Sequence, residues 1–237
     1  MAVQFHPEVV RIERLLIGPV APLGEPQVPS GIDKHPAAGR VWLGTEGFTG
    51  DAQGDRKHHG GVDKAVHHYA FDHYAAWRTE IGDRSVLRQS GAFGENFSSS
   101  GMDESSVAVG DVFRVGGALI EVSQGRQPCW KLNLRFGIAD MARRVQNSGR
   151  TGWYYRVLES GFVEQGDELQ LVERRSPAWT IQRLWRTLYV DVLNRDELAA
   201  MAALPNLPDN WRRHAQRRLT THSVEDWSRR LEGTPAP

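Results

Sequence analysis

The chain has 237 residues, with 29 Lys and Arg against 29 Asp and Glu, so its formal charge at neutral pH is zero. That balance argues against coating nucleic acid through bulk charge, while leaving room for a local basic pocket. A single cysteine excludes an internal disulfide, and no apolar run approaches membrane-spanning length. Hydrophobic residues at 40%, eight Trp among them, are enough for a real core. The first ten residues lack a basic stretch followed by an apolar one, so no signal peptide is expected, and a soluble cytoplasmic protein is.

Val9 to Gly18 is apolar and β-branched, stops at Gly-Pro, and reads as a first strand. A Pro- and Gly-rich loop follows to Pro29. Ser30–Lys34 and Arg40–Leu43 read as short extended pieces broken by Pro36 and Gly39. Gly47–Lys64 is the most polar and glycine-dense segment, and it runs into the strand-like Ala65–Tyr69. Asp72 is placed to cap a helix through about Ile81, with Tyr74, Trp77 and Ile81 on one face and Gly82 ending it.

The middle of the chain reads as β-structure. Gly91–Phe97 is a glycine-punctuated strand and turn, Val107–Val115 two short runs joined at Gly110-Asp111, and Ala118–Ser123 a further strand. Phe136–Val145 is helix-like, with Ile138, Met141, Ala142 and Val145 on one side. Trp153–Leu158 is a strand, and Gly166–Val172 closes the series with a turn and a strand. Many short strands with Gly-Asp turns predict a closed or nearly closed β-barrel over residues 1–175.

After Arg174-Arg175-Ser176-Pro177 the pattern turns helical. Ile181, Leu184, Trp185 and Leu188 make one stripe, and Glu197–Ala203 is a short alanine-rich helix. Asn210–Leu219 sets Trp211, Ala215 and Leu219 opposite Arg212, Arg213, Arg217 and Arg218. That basic face is either solvated or a dock for an acidic partner. Ser223–Asp226 resembles a capping box ahead of Trp227 and Leu231. Residues 176–237 are expected to form a small helical appendage, with a disordered tail after Gly233.

Three places could carry chemistry. Cys129 lies among Arg126, Pro128, Lys131, Asn133 and Arg135. Positive charge favours the reactive thiolate, and Pro128 stiffens the backbone that presents it, so Cys129 is a candidate soft-metal ligand or nucleophile. An inert buried thiol fits the same local pattern. Arg56, Lys57, His58, His59 and Lys64 interleave with Gly54, Gly60 and Gly61. Glycines let the backbone approach a ligand, so this segment could hold a phosphate, or be a solvated basic loop. His67, His68 and His73 add imidazoles, but the spacing does not match a zinc motif, and His67 and His68 would face opposite sides of a strand. Gly94-Glu95-Asn96 suits either an amide-rich heterocycle or a loop backbone. Gly110-Asp111 and Gly166-Asp167 read as structural hairpin turns.

Taken in order, several of these motifs resemble MOSC-domain proteins, a family named for the C-terminal domain of molybdenum cofactor sulfurase. The resemblance runs through Ser30–Lys34, Gly50-Asp51, Gly54–Gly61, Asp63–Val66, Phe93–Asn96, Val109–Asp111, Arg126–Lys131 and Gly152–Tyr154. It is strongest to the bacterial YiiM branch, whose three-helix extension the C-terminal part also resembles. The resemblance implies a mainly β, MOSC-type barrel with short helices, and the molybdenum cofactor (molybdopterin), with Cys129 as metal ligand and catalytic residue. Soft thiolates suit a thiophilic metal. It further implies a cofactor-binding set of Lys34, Arg56, Lys57, His59, Gly60, Gly61, Lys64, Asn96, Arg126 and Asn133. The implied activity is reduction of N-hydroxylated compounds, such as hydroxylaminopurine base analogues, to the amine. A carrier of molybdenum cofactor or sulfur is the alternative. Electrons would come from a separate flavoprotein-type reductase, because the sequence carries no dinucleotide fingerprint and no cysteine cluster for iron and sulfur. Neither a nucleic-acid polymer nor a membrane is expected as a partner.

Overall fold

The first apolar run splits into two strands, β1 (Val9–Arg11) and β2 (Arg14–Ile17). The computed structural model describes residues 9–55 and 60–233. At the break, the N–H of Ile12 donates to Asp167 O (2.9 Å) and that of Glu13 to Ser98 O (3.0 Å). One run therefore joins two different parts of the sheet, which alternation alone cannot reveal.

Short strands follow: β3 (Ala21–Leu23), β4 (Val28–Ser30), β5 (His35–Pro36), β6 (Val41–Gly44) and β7 (Gly47–Phe48). After them come β8 (Val66–Ala70), helix α1 (His73–Ile81), β9 (Phe97–Ser99), β10 (Asp111–Val115) and β11 (Ala118–Gly125). Helices α2 (Lys131–Phe136) and α3 (Met141–Ser148) precede β12 (Trp153–Glu159), β13 (Gly161–Val163) and β14 (Glu168–Arg174). Nine strands form the main sheet in the order β1-β14-β10-β11-β12-β8-β9-β2-β5. Among the described residues only β8 and β9 pair in parallel, and the segment joining them carries α1, as a parallel crossover demands.

The fold is mostly β, a curled half-barrel with short helices and a C-terminal helical region. Register shifts in the β10–β14 and β11–β12 pairs help the sheet curl. The edges β1 and β5 do not pair with each other, so strand pairing leaves the barrel open among the described residues. A small sheet, β13-β6-β7, sends Leu43, Phe48 and Val163 into the same apolar cluster as Val66, Phe113 and Tyr155 of the main sheet.

Three local expectations are corrected. Asp72 does not cap α1; its carboxylate accepts the Gly101 N–H (2.7 Å) instead. The helix expected over Phe136–Val145 begins later, as α3 at Met141, and Phe136 is instead the last residue of α2. Gly137 in the left-handed region (φ 63°) ends α2, and Asp140 precedes α3. Helix α2 also reaches back to Lys131, so it starts directly behind the cysteine.

The C-terminal helices are α4 (Ile181–Tyr189), α5 (Arg195–Ala202), α6 (Asp209–Thr221) and α7 (Ser228–Glu232). Ile181, Leu184, Leu188, Trp211 and Ala215 join the apolar cluster of the sheet. A side chain at Gly125 on β11 would meet both Trp211 and Ile181, so the helices pack directly on that strand. The arginine face of α6 is smaller than its sequence predicts. Arg218 is 1% exposed; it pairs with Glu225 (2.8 Å) and donates to Leu188 O (2.9 Å). The capping box at Ser223 does not form. Helix α7 begins at Ser228, whose N–H donates to Asp226 Oδ1 (2.8 Å). The tail after Gly233 lies outside the described residues. Among those described, no helix is long and apolar enough to cross a membrane.

Candidate active site

Cys129 sits where β11 runs into α2. The preceding Arg126 N–H donates to Gly152 O (2.9 Å), and Cys129 O accepts the Leu132 N–H (3.0 Å), opening the first helical turn. The thiol belongs to the wall of a cleft whose lining includes Lys34, Asp51, Lys64, His67, Arg126, Lys131 and Tyr154. Four cationic side chains thus face one carboxylate around a single sulfur.

Distant parts of the chain build each wall. Lys34, from the segment between β4 and β5, pairs with Asp51, and Asp51 Oδ2 accepts Asn96 Nδ2 (2.9 Å). Asn96 Oδ1 accepts the His67 N–H (3.0 Å), tying this wall to β8. Lys131, at the start of α2, donates to Pro29 O (2.8 Å) and holds the β3–β4 hairpin beside the cysteine turn. His67 lies against Tyr154 of β12, with ring centroids 5.1 Å apart. His68 points the other way, to Tyr155 and Ser99, as strand alternation requires.

The electrostatics follow from burial. Burial lowers the Lys34 pKa against the pull of Asp51. Burial also lowers that of Lys64, with Asp63, Asp55 and Cys129 opposing, so the Lys64 ammonium feels the sulfur. His67 is pushed well below its ordinary value by burial and then by the Arg126 charge, so it stays neutral at physiological pH. Burial raises the Tyr154 pKa while Arg126 opposes, so its phenol keeps its proton. Arg126 is 6% exposed; Nη2 makes a long contact to Phe93 O (3.4 Å), and Nη1 is buried with no hydrogen-bond partner among the described residues. A buried guanidinium donor left unsatisfied beside a cleft suits an anionic ligand.

Two segment models match the chain. A MOSC domain covers residues 55–170, and a YiiM-like 3-alpha helix domain covers residues 179–222. Protein YiiM of Escherichia coli is 40% identical over 205 residues, which span 86% of this chain and 91% of that one. The chain belongs to the MOSC family, in its YiiM branch. The crystal structure of E. coli YiiM superposes with a TM-score of 0.77 at 37% identity, over 91% of this chain and all of that one. That of YiiM from Geobacillus stearothermophilus gives 0.75 at 32% identity, over 89% of this chain and all of that one. A protein of Gibberella moniliformis named "Reductase" is 36% identical over 180 residues, 76% of this chain and 32% of its own length. MOSC membership connects the chain with molybdenum-cofactor chemistry.

Of the residues singled out in the sequence, the cleft of this MOSC chain brings together Lys34, Lys64, Asn96, Arg126 and Cys129. Asn96 reaches the lining, but its amide is committed to His67, Leu16 and Asp51, so it holds the wall. Gly60 and Gly61 do not line the cleft. Asn133 does not either: its Nδ2 donates to Leu231 O (2.9 Å) and its Oδ1 accepts the Ala142 N–H (2.8 Å). Arg56, Lys57 and His59 lie outside the described residues. The sequence assigns no role to Asp51 or Tyr154, and to Lys131 only that of a positive neighbour of Cys129, not of a wall residue. All three stand inside the motifs that carry the resemblance, and that was the available signal.

Proposed function

We propose that this protein reduces N-hydroxylated compounds, of the hydroxylaminopurine kind, to the amine with the molybdenum cofactor. The observation that carries the reading is the convergence, in one cleft, of the only thiol with Lys34, Lys64, Lys131 and an Arg126 Nη1 that has no hydrogen-bond partner among the described residues. The donor set fits the group: a soft thiolate for the metal, and buried cations for a phosphorylated pterin. Cys129 would ligate the metal through Sγ, and Arg126 and Lys64 would hold the anion. Arg56, Lys57 and His59 stay in the proposal on sequence grounds alone.

Bound there, the cofactor supplies the two-electron chemistry that, with two protons, converts N–OH to N–H and water. The chain's own residues orient and insulate. The Lys34–Asp51–Asn96 ties fix one wall, and Lys131 fixes the hairpin opposite. His67 contributes no charge, while Tyr154 holds a proton at its phenolic oxygen and can donate it in a hydrogen bond. Electrons come from a separate flavoprotein-type reductase in this reading.

The test is metal and pterin analysis of protein purified from a cofactor-competent host, paired with turnover of hydroxylaminopurine. About one molybdenum per chain, and loss of both metal and turnover in Cys129→Ser, are expected. Protein devoid of molybdenum and pterin sinks the proposal. Cofactor that transfers to an apo-enzyme without any turnover replaces it with the carrier reading.

A further inference from the structure

Both peptide neighbours of Cys129 are bonded to one residue of the last helix. Arg230 Nη1 donates to Pro128 O, and the Trp130 N–H donates to Arg230 O (2.8 Å). Nη2 donates to Gln146 Oε1 on α3. One step along, Leu231 O accepts Asn133 Nδ2 (2.9 Å), and a side chain at Gly233 would press on the Trp130 ring at 3.1 Å. The guanidinium itself lies over Trp227, 4.8 Å from the ring centroid, which fixes its plane.

We infer that Arg230 is a positioning residue for Cys129, and that α7 is the strut that presents the thiol to the cleft. Pro128 restricts only its own φ, which leaves the rotations at Cys129 undetermined. One hydrogen bond on each side of Cys129, both ending on Arg230, pins the peptide planes that carry it. Helix α7 lies beyond both matched segments, at 55–170 and 179–222, so neither model includes this brace. The chemistry assigned to that thiol rests on the function proposed above; the bracing does not.

The test uses the full chain, expressed without pterin synthesis, as Arg230→Met and Arg230→Lys. Alkylation of Cys129 by iodoacetamide at one fixed pH is measured with hydrogen exchange over residues 127–137. Methionine keeps the stem and removes the donors, so alkylation at least tenfold faster is expected, with faster exchange confined to that segment. Lysine can still reach one acceptor, so its rate falls between parent and Met. Rates within twofold of the parent, exchange that rises equally across the chain, or a Lys variant no better than Met would overturn the inference. Should Arg230→Met yield no folded protein, Arg230→Lys decides alone: at least threefold faster alkylation supports the brace, and a smaller change overturns it. Turnover is not part of the readout, so this result is separable from the fate of the proposed activity.

Discussion

Lys34 and Asp51 form an ion pair in the cleft wall, with side chains only 5% and 2% exposed. The carboxylate is fully engaged: Oδ1 also accepts the Gly18 N–H (3.0 Å), and Oδ2 accepts Asn96 (2.9 Å). A buried pair of this kind adds little stability against an apolar replacement, yet removing one partner strands a charge.

Asp51→Asn is therefore expected to destabilise the chain by about 3–5 kcal/mol at pH 7, read by urea unfolding. Burial already lowers the Lys34 pKa, and Asp51 is what raises it back. Without the carboxylate it drops further. From that lowered folded value up to about pH 10.4 the unfolded chain binds more protons than the folded one, so the stability of Asp51→Asn rises with pH across that window. The deficit should narrow between pH 7 and 9.5, and adding Lys34→Met should recover most of it. A double variant no more stable than Asp51→Asn would show that the charge is not the cause.

His68 makes the fold acid-sensitive from inside the core. It is fully buried, bonded to Tyr155 Oη (3.0 Å) and Ser99 Oγ (2.7 Å), and burial lowers its pKa from 6.5 to about 3. A histidine depressed in the folded state contributes stability that is present above its unfolded value and lost as pH falls below it. The window runs from about 6.5 down to about 3, where both states are protonated. At 1.36 kcal/mol per unit the loss over that range is of order 5 kcal/mol. His67 and His214, also lowered by burial, add to it in the same direction. His68→Gln should flatten the slope of stability against pH between 6 and 4 by close to one proton. An unchanged slope rejects this assignment.

What could be read from the sequence was whatever lay within one segment. Short strands with Gly-Asp turns identify a β fold because each turn is local; Gly110 and Gly166 turn the chain with φ of 81° and 98°, but neither makes the expected hairpin, since β10 pairs with β11 and β14, and β13 pairs with β6 rather than β14. Cys129 was legible as a candidate because its basic neighbours are adjacent in sequence. The splitting of Val9–Gly18 was not, because the two halves pair with β14 and β9, more than 80 residues away. Asn133 looked like a ligand residue by proximity to Cys129; its amide is taken by Leu231 and Ala142, and only tertiary packing shows that. Arg218 counted toward a solvated face by helical periodicity, but carbonyls from Leu188 and Val192 and the Glu225 carboxylate draw it inward. Arg230 carried no sequence signal, since its acceptors lie at Pro128 and Gln146.

The cleft's shape depends on two glycines for space, not for backbone freedom. Neither Gly31 nor Gly54 has positive φ. A Cβ on Gly31 would fall 1.7 Å from Ala52 O, and one on Gly54 would fall 2.2 Å from Pro29 O. The end of β4 and the segment 52–54 are thus pressed backbone to backbone, and both line the cleft beside Lys34 and Cys129. Rigid carbonyls cannot yield as a flexible side chain would, so alanine at either position must part the two segments. The expected cost is about 1–3 kcal/mol, with a wider cleft that, on the function proposed above, retains cofactor less well through gel filtration. Gly39 is the contrast: its φ is 74°, and nothing lies within 4 Å of an added Cβ. Gly39→Ala should cost roughly 1–2 kcal/mol through backbone strain alone and leave cofactor retention unchanged. If Gly31→Ala and Gly54→Ala match Gly39→Ala in both stability and retention, the close approach is not what shapes the cleft.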